Sequence, residues 1–176
     1  MGYSIEDFAD YKAYLRTISK HLDFCFENQK EYICCKKGCA HCCESGQYPY
    51  SSLEFNYLLL GFFQIERNEQ LKVIQRIKNL KEEFFKTDDK KNFSYRCPFL
   101  SEDKVCTVYD FRGIICRTFG LLTELNDGSY TLPFCSSLGL NYSKVYNENT
   151  KKINYDAVEK NEYKKYIFCA FFFPVR

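Results

Sequence analysis

Cys34-Cys35-Lys36-Lys37-Gly38-Cys39-Ala40-His41-Cys42-Cys43 sets five of the chain's 11 cysteines within ten residues. Thiols at this density read as half of a metal site. Placed on a helix, Cys35, Cys39 and Cys42 occupy positions i, i+4 and i+7 and share one face, with Cys43 a turn beyond Cys39 at its edge. Gly38 suits a loop as readily as it weakens a helix, so the backbone stays open between the two. Either one lets several thiolates converge. In regular structure the neighbours Cys42 and Cys43 point apart, which suits two irons of a cluster, or two separate metals, better than one small ion. The alternative, a run of buried inert cysteines, leaves the clustering unexplained.

Further along, Cys97, Cys106, Cys116 and Cys135 recur one per element. Together with Cys35, Cys39, Cys42 and Cys43 they make eight candidate ligands, and Cys25, Cys34 and Cys169 remain outside the set. Eight thiols are enough for two four-thiolate zinc sites, for one four-iron cluster with thiols to spare, or for a mixture. Structural zinc favours paired Cys-x2-Cys knuckles, of which only Cys39/Cys42 is present, whereas a cluster accepts ligands from scattered elements. The expected cofactor is therefore an iron-sulfur cluster, 4Fe-4S favoured, with zinc as the alternative.

Length and composition limit what surrounds this site. A chain of 176 residues with 45% apolar and 18% aromatic residues builds a core of its own, so residues 1–176 are expected to form a single domain, its metal-binding part spanning about 35–140. A net charge of +2, with its lysine pairs scattered, gives no nucleic-acid-binding face. The first residues carry no signal-peptide pattern, and the longest apolar runs, Tyr57 to Phe63 and Ala170 to Phe173, fall well short of a bilayer. These features lead to an expected cytoplasmic location without membrane attachment, in a reducing compartment where thiols serve as ligands rather than disulfides.

The expected fold class is α+β: a mainly helical small domain with one or two short β-hairpins around a cysteine-ligated metal centre. Ser4 caps a first helix whose inward stripe is Ile5, Phe8, Tyr11, Leu15, Ile18, Leu22 and Phe26, with His21 and Cys25 on its flank as packing or surface. Ser51 and Glu54 form a capping box ahead of a second helix, apolar nearly all round and so expected to be deeply buried. Asn68 caps a third helix that ends near Thr87 and faces Leu71, Ile74, Ile77, Leu80 and Phe84 inward. The stretch Cys97 to Tyr109 reads as a small hairpin presenting a thiol on each arm, and Asp110 as the cap of a helical turn carrying Cys116. Asn126-Asp127-Gly128-Ser129 turns a second hairpin, and Tyr155 to Phe168 reads as a charged helix.

The segments Cys35-x3-Cys39-x2-Cys42-Cys43, Cys97-Pro98-Phe99-Leu100, Cys106-Thr107-Val108-Tyr109-x2-Arg112-x3-Cys116-Arg117-Thr118-Phe119 and Cys135 resemble the bacterial YkgJ-like cysteine-cluster proteins, zinc- or iron-chelating domain proteins, over roughly Cys35 to Leu140. The resemblance implies a metal centre held by those eight positions. A related branch, the flagellin lysine N-methylases, implies iron-sulfur chemistry and a protein-modifying enzyme as a further alternative. Family members usually carry Arg-Pro where this chain has Arg112-Gly113, so a looser turn is expected here.

Arg112 and Arg117 are placed to offset the negative charge of a thiolate centre, or else to pair with Asp110 or Glu124. Tyr109 is expected in the core. His41 is expected outside the ligand shell, and Ser136-Ser137 lacks a base that would make either serine a nucleophile. The function expected on these grounds is metal binding in support of electron transfer, sensing or a partner protein's chemistry. The competing expectation is a zinc-stapled protein-interaction module.

Overall fold

The computed structural model describes residues 3–36, 38–124, 130–150 and 152–153. The chain is mainly helical, its strands only two residues long. It divides into two compact units, residues 1–16 with 37–117 and residues 17–36 with 118–176. Among the described residues no helix is long and apolar enough to cross a membrane.

Helix α1, Ile5–Asn28, opens with a reciprocal cap. The Asp7 N–H donates to Ser4 Oγ at 3.1 Å, and the Ser4 N–H donates back to the Asp7 carboxylate at 2.6 Å. These Ser4 bonds hold the Asp7 carboxyl below its usual range. The expected stripe is buried at Tyr11, Leu15, Ile18 and Leu22, and Cys25 is fully enclosed, whereas Ile5 in the first turn is 88% exposed.

In the first unit, Tyr11, Leu15 and Tyr57 form one core cluster, with Phe111 and Ile114 packed against it. A second cluster joins Leu58, Val73, Phe99 and Val108, and the Cys97 and Cys106 side chains rest on its edge. After the single helical turn α2, His41–Glu44, the expected capping box is present at α3, Ser52–Phe62, where the Glu54 N–H donates to Ser51 Oγ and the Ser51 N–H to the Glu54 carboxylate. Its removal in Ser51→Ala is expected to cost about 1 kcal/mol and to lower the thermal midpoint by roughly 2–4 °C, read by circular dichroism.

Two expectations about burial are corrected. Helix α3 buries Tyr57, Leu58 and Gly61 but leaves Phe55, Leu60 and Phe63 exposed, so it is a half-covered helix and not a central one. Helix α4, Arg67–Lys86, buries Val73 completely, while Leu71, Ile77 and Phe84 face solvent. Two residues span about 200° of helical rotation, so the face that holds Val73 turns Leu71 outward. That same face carries Arg76, whose guanidinium donates to Pro98 O at 3.1 Å and pairs with Glu69 at 3.2 Å. The helix begins one residue before Asn68, after Glu66.

The second unit is built on Leu122, Tyr142 and Val145, with Tyr32, Ile33, Leu132 and Tyr146 against them. Strands β1, Thr123–Glu124, and β2, Tyr130–Thr131, pair antiparallel as the second expected hairpin, although its Asn126–Ser129 turn lies outside the described residues. A 3-10 turn, Phe134–Leu138, ends on left-handed Gly139, and β3, Tyr146–Asn147, pairs with β4, Lys152–Ile153, which the sequence did not announce. The expected Tyr155 to Phe168 helix and Cys169 also lie outside the described residues.

Candidate metal centre

Five backbone features bring thiols together in the first unit. Gly38 takes φ +90°, a left-handed value that interrupts any continuous helix from Cys35 to Cys43. Only His41–Glu44 is helical, so the i, i+4, i+7 arrangement is not realised. Beyond it, Gly46 and Tyr95 form an antiparallel bridge, and the Cys97 N–H donates to Cys43 O at 2.8 Å, which draws Cys97 alongside Cys43. From Cys97 the chain makes the expected tight hairpin in reduced form. A single bridge joins Leu100 and Cys106, flanked by hydrogen bonds from Ser101 N to Val105 O and from Thr107 N to Phe99 O. A 3-10 turn, Tyr109–Phe111, then leads into α5, Ile114–Thr118, which carries Cys116.

The four thiols of Cys43, Cys97, Cys106 and Cys116 consequently lie within electrostatic reach of one another. Burial pushes the Cys97 thiol up to about 12 and the Cys116 thiol to about 11, and raises Cys106 as well. Cys43 moves the other way. The Cys42 thiol hydrogen-bonds to it and, against the effect of burial, brings it down to about 7, with the Arg112 charge helping. Cys42 and Cys43 thus meet instead of diverging, because a lone helical turn imposes no regular side-chain spacing on its ends. Cys39, Cys42 and Cys43 are all half-buried, while His41 is exposed, as expected.

Arg112 is the positive charge of this region. Its influence lowers the thiol values of Cys43, Cys106 and Cys116. Its guanidinium lies 3.5 Å from the centre of the Tyr109 ring and its Nε donates to Tyr109 O at 2.9 Å. Tyr109 is 55% exposed and serves as a platform for Arg112, a correction to its expected place in the core. Arg117 is directed to peptide oxygens, those of Arg112 at 2.9 Å and Asp110 at 2.7 Å. Val108, not Asp110, precedes the 3-10 turn, and no side chain caps it.

Sequence reasoning missed the tyrosines that line the centre. Tyr48 donates its hydroxyl to Cys42 O, and Tyr50 stands 3.2 Å from Cys116 Sγ. Burial raises both phenols well above their ordinary value, so each stays protonated. Gly113 is held, not loose. Its N–H donates to the Tyr50 hydroxyl at 3.2 Å, and a Cβ on it would come within 2.6 Å of Tyr50 Cε1. The next N–H, that of Ile114, donates to Glu54 Oε1 at 2.9 Å, so the side chain that caps α3 also fastens the entry to α5. The legible signal was the Tyr48-Pro49-Tyr50 triplet just after the thiols.

Cys35 and Cys135, with Cys34, belong to the second unit. There the almost fully buried Asn141, 1% exposed, accepts from the Cys34 N–H at 2.7 Å and donates both to Gly120 O at 2.8 Å and to Cys35 Sγ at 3.1 Å. Cys135 is buried inside the 3-10 turn, and its carbonyl accepts from the Leu140 N–H at 3.2 Å. Ser136 and Ser137 donate their hydroxyls to Asn141 O and Phe134 O. Asn141→Leu strands a buried N–H and a carbonyl, and is expected to destabilise the protein by about 1–3 kcal/mol in urea titration.

Among the described residues no three His, Cys, Asp or Glu side chains stand around one point as a ready coordination shell. The thiols gather without being posed as ligands, since Cys42 bonds Cys43 and the Tyr50 hydroxyl lies on Cys116. As donors they still fit a thiophilic ion: soft, close to one another and backed by a cation.

A dense thiol cluster of this kind defines a chelating domain. The chain belongs to the CxxCxxCC family, described as "Putative zinc- or iron-chelating domain", whose model matches residues 34–136, more than half of its length. That description accommodates zinc and iron alike and expresses no preference for a four-iron cluster. No curated protein and no solved structure matches the chain.

Proposed function

We propose that the protein binds zinc or iron through the first unit's thiolates, Cys39, Cys42, Cys43, Cys97, Cys106 and Cys116, with Cys35 and Cys135 as the second unit's candidate ligands. The observation that supports this most is the gathering of Cys43, Cys97, Cys106 and Cys116 from four separate places in the sequence into one electrostatic neighbourhood. Loading exchanges the Cys42–Cys43 thiol contact for metal bonds. Six thiols in one unit exceed the four that a single tetrahedral zinc or a single four-iron cluster takes, which leaves room for a pair of metals or for a cluster with thiols to spare. The Cys39/Cys42 spacing of a zinc knuckle supports the second reading, zinc as a structural staple for protein interaction. In the first reading the centre works in a reducing compartment and serves electron transfer, sensing or the chemistry of a protein partner.

Anaerobic purification followed by iron, acid-labile sulfide and zinc analysis tests both. Coloured protein with iron and sulfide in stoichiometric amounts supports the cluster. Colourless protein with stoichiometric zinc supports the staple, and folded protein that takes up neither metal overturns the proposal.

A further inference from the structure

Tyr50 has a hydroxyl placed between two partners that use different parts of it. The Gly113 N–H donates to its oxygen at 3.2 Å, which occupies a lone pair, and Cys116 Sγ lies at 3.2 Å on the other side. Once Cys116 is a thiolate it has no proton to give, so the phenol must be the donor in that pair. We propose that Tyr50 is a positioning residue of the metal centre, donating its O–H to the Cys116 thiolate and drawing electron density from that sulfur while it is bound to a soft metal ion. This rests on the reading of Cys116 as a ligand and adds a residue that acts through the ligand rather than on the metal.

The surroundings hold the hydroxyl in place. The ring packs against the cluster of Leu58, Val73, Phe99 and Val108, and the absence of a side chain at Gly113 lets the ring approach that backbone. A phenol carries its proton at neutral pH, so the donor is available to the sulfur. Tyr48 supplies an internal comparison: it lines the same centre, yet its hydroxyl goes to a peptide carbonyl, that of Cys42. Hydrogen bonds to metal-bound sulfur tune the metal, and removing such an outer partner typically costs about tenfold or more in metal affinity.

Cobalt(II) alone, added to the full metal-depleted chain, is the probe, because its sulfur-to-metal charge-transfer band reports the electron density on the thiolates. Tyr50→Phe is expected to bind the same number of cobalt ions about tenfold more weakly, with that band moved to lower energy. Site-specific 3-fluorotyrosine at position 50, a stronger donor in a side chain of nearly the same shape, should move it to higher energy, and this variant keeps the test valid should Tyr50→Phe fold poorly. Tyr3→Phe, whose ring packs on Phe8 away from the thiols, should leave the band in place. An unchanged band in both position-50 proteins, with cobalt bound, overturns the role of Tyr50 and leaves the metal centre standing. A wild-type chain that binds no cobalt overturns the centre and this inference with it.

Discussion

Cys43→Ser is expected to lose its metal through gel filtration while Cys25→Ala keeps it. Cys43 is the thiol that Cys97 and Cys116 both sense, that Cys42 hydrogen-bonds, and that the Arg112 charge favours as thiolate. Serine keeps the size and most of the hydrogen bonding but gives up the soft anionic donor, a hydroxyl being far harder to ionise than a thiol. Structural thiolate sites bind zinc with about 10–16 kcal/mol, so forfeiting one of the central ligands should weaken binding by roughly two to four orders of magnitude. Cys25 is buried more deeply still, but it belongs to the second unit's stretch of α1, so its replacement tests whether the loss is specific to the cluster. Metal content by plasma emission, with circular dichroism to confirm folding, decides the outcome. Equal metal in both variants would mean that the wrong thiols were chosen.

The second large effect is on pH. Metal binding takes thiolates, and the structure holds Cys97 at about 12, Cys116 at about 11 and Cys106 above the ordinary thiol value, so each must release a proton on loading. Those three protons alone predict an affinity that falls by about a thousandfold or more for each pH unit of acidification, and the slope steepens below pH 7, where Cys43, at about 7, also begins to protonate. Competition with a chelator at pH 6, 7 and 8 measures this. Without metal the sign reverses for the three raised thiols: their contribution to folding is whole below the ordinary value of 9.0 and is lost as pH climbs toward 11 and 12. Cys43, being depressed, contributes in full above 9.0 and loses that contribution as pH falls through about 7. Metal-depleted protein should therefore become easier to melt between pH 9 and 11, while loaded protein should become easier to melt on acidification. The same pH dependence in both forms would contradict thiolate ligation.

Local chemistry was the part of this fold that could be read from residues. The Ser51/Glu54 box, the Ser4 cap and the thiol-bearing hairpin after Cys97 each depend on neighbours within a few positions, and each is present. Faces were harder. The stripe through Leu71, Ile77 and Phe84 is a sound helical pattern, but α4 turns Val73 onto Leu58, Phe99 and Val108 and sets Arg76 on the Pro98 carbonyl, partners with no local trace. The site divides along the same line. Which thiols exist was legible, and so was their family, whereas the Tyr50–Gly113–Cys116 contact joins residues more than sixty positions apart. The departure from Arg-Pro at Gly113 suggested slack, yet the missing side chain is what admits the tyrosine ring. Asn141, beyond the end of the family match at residue 136, carried no motif to mark it.

The interleaving of the two units has a bearing on synthesis. Residues 17–36 leave a ribosome early, yet the rest of their unit begins only at residue 118, after the whole of the other has been made. The first unit can close once Arg117 has emerged, while Tyr32, Ile33 and the Cys34-Cys35 pair wait for Leu122, Asn141 and Tyr142. A nascent chain arrested far enough beyond position 117 for Arg117 to have cleared the ribosome should thus already protect its six thiols from alkylation in the presence of metal, with Cys34 and Cys35 still reactive.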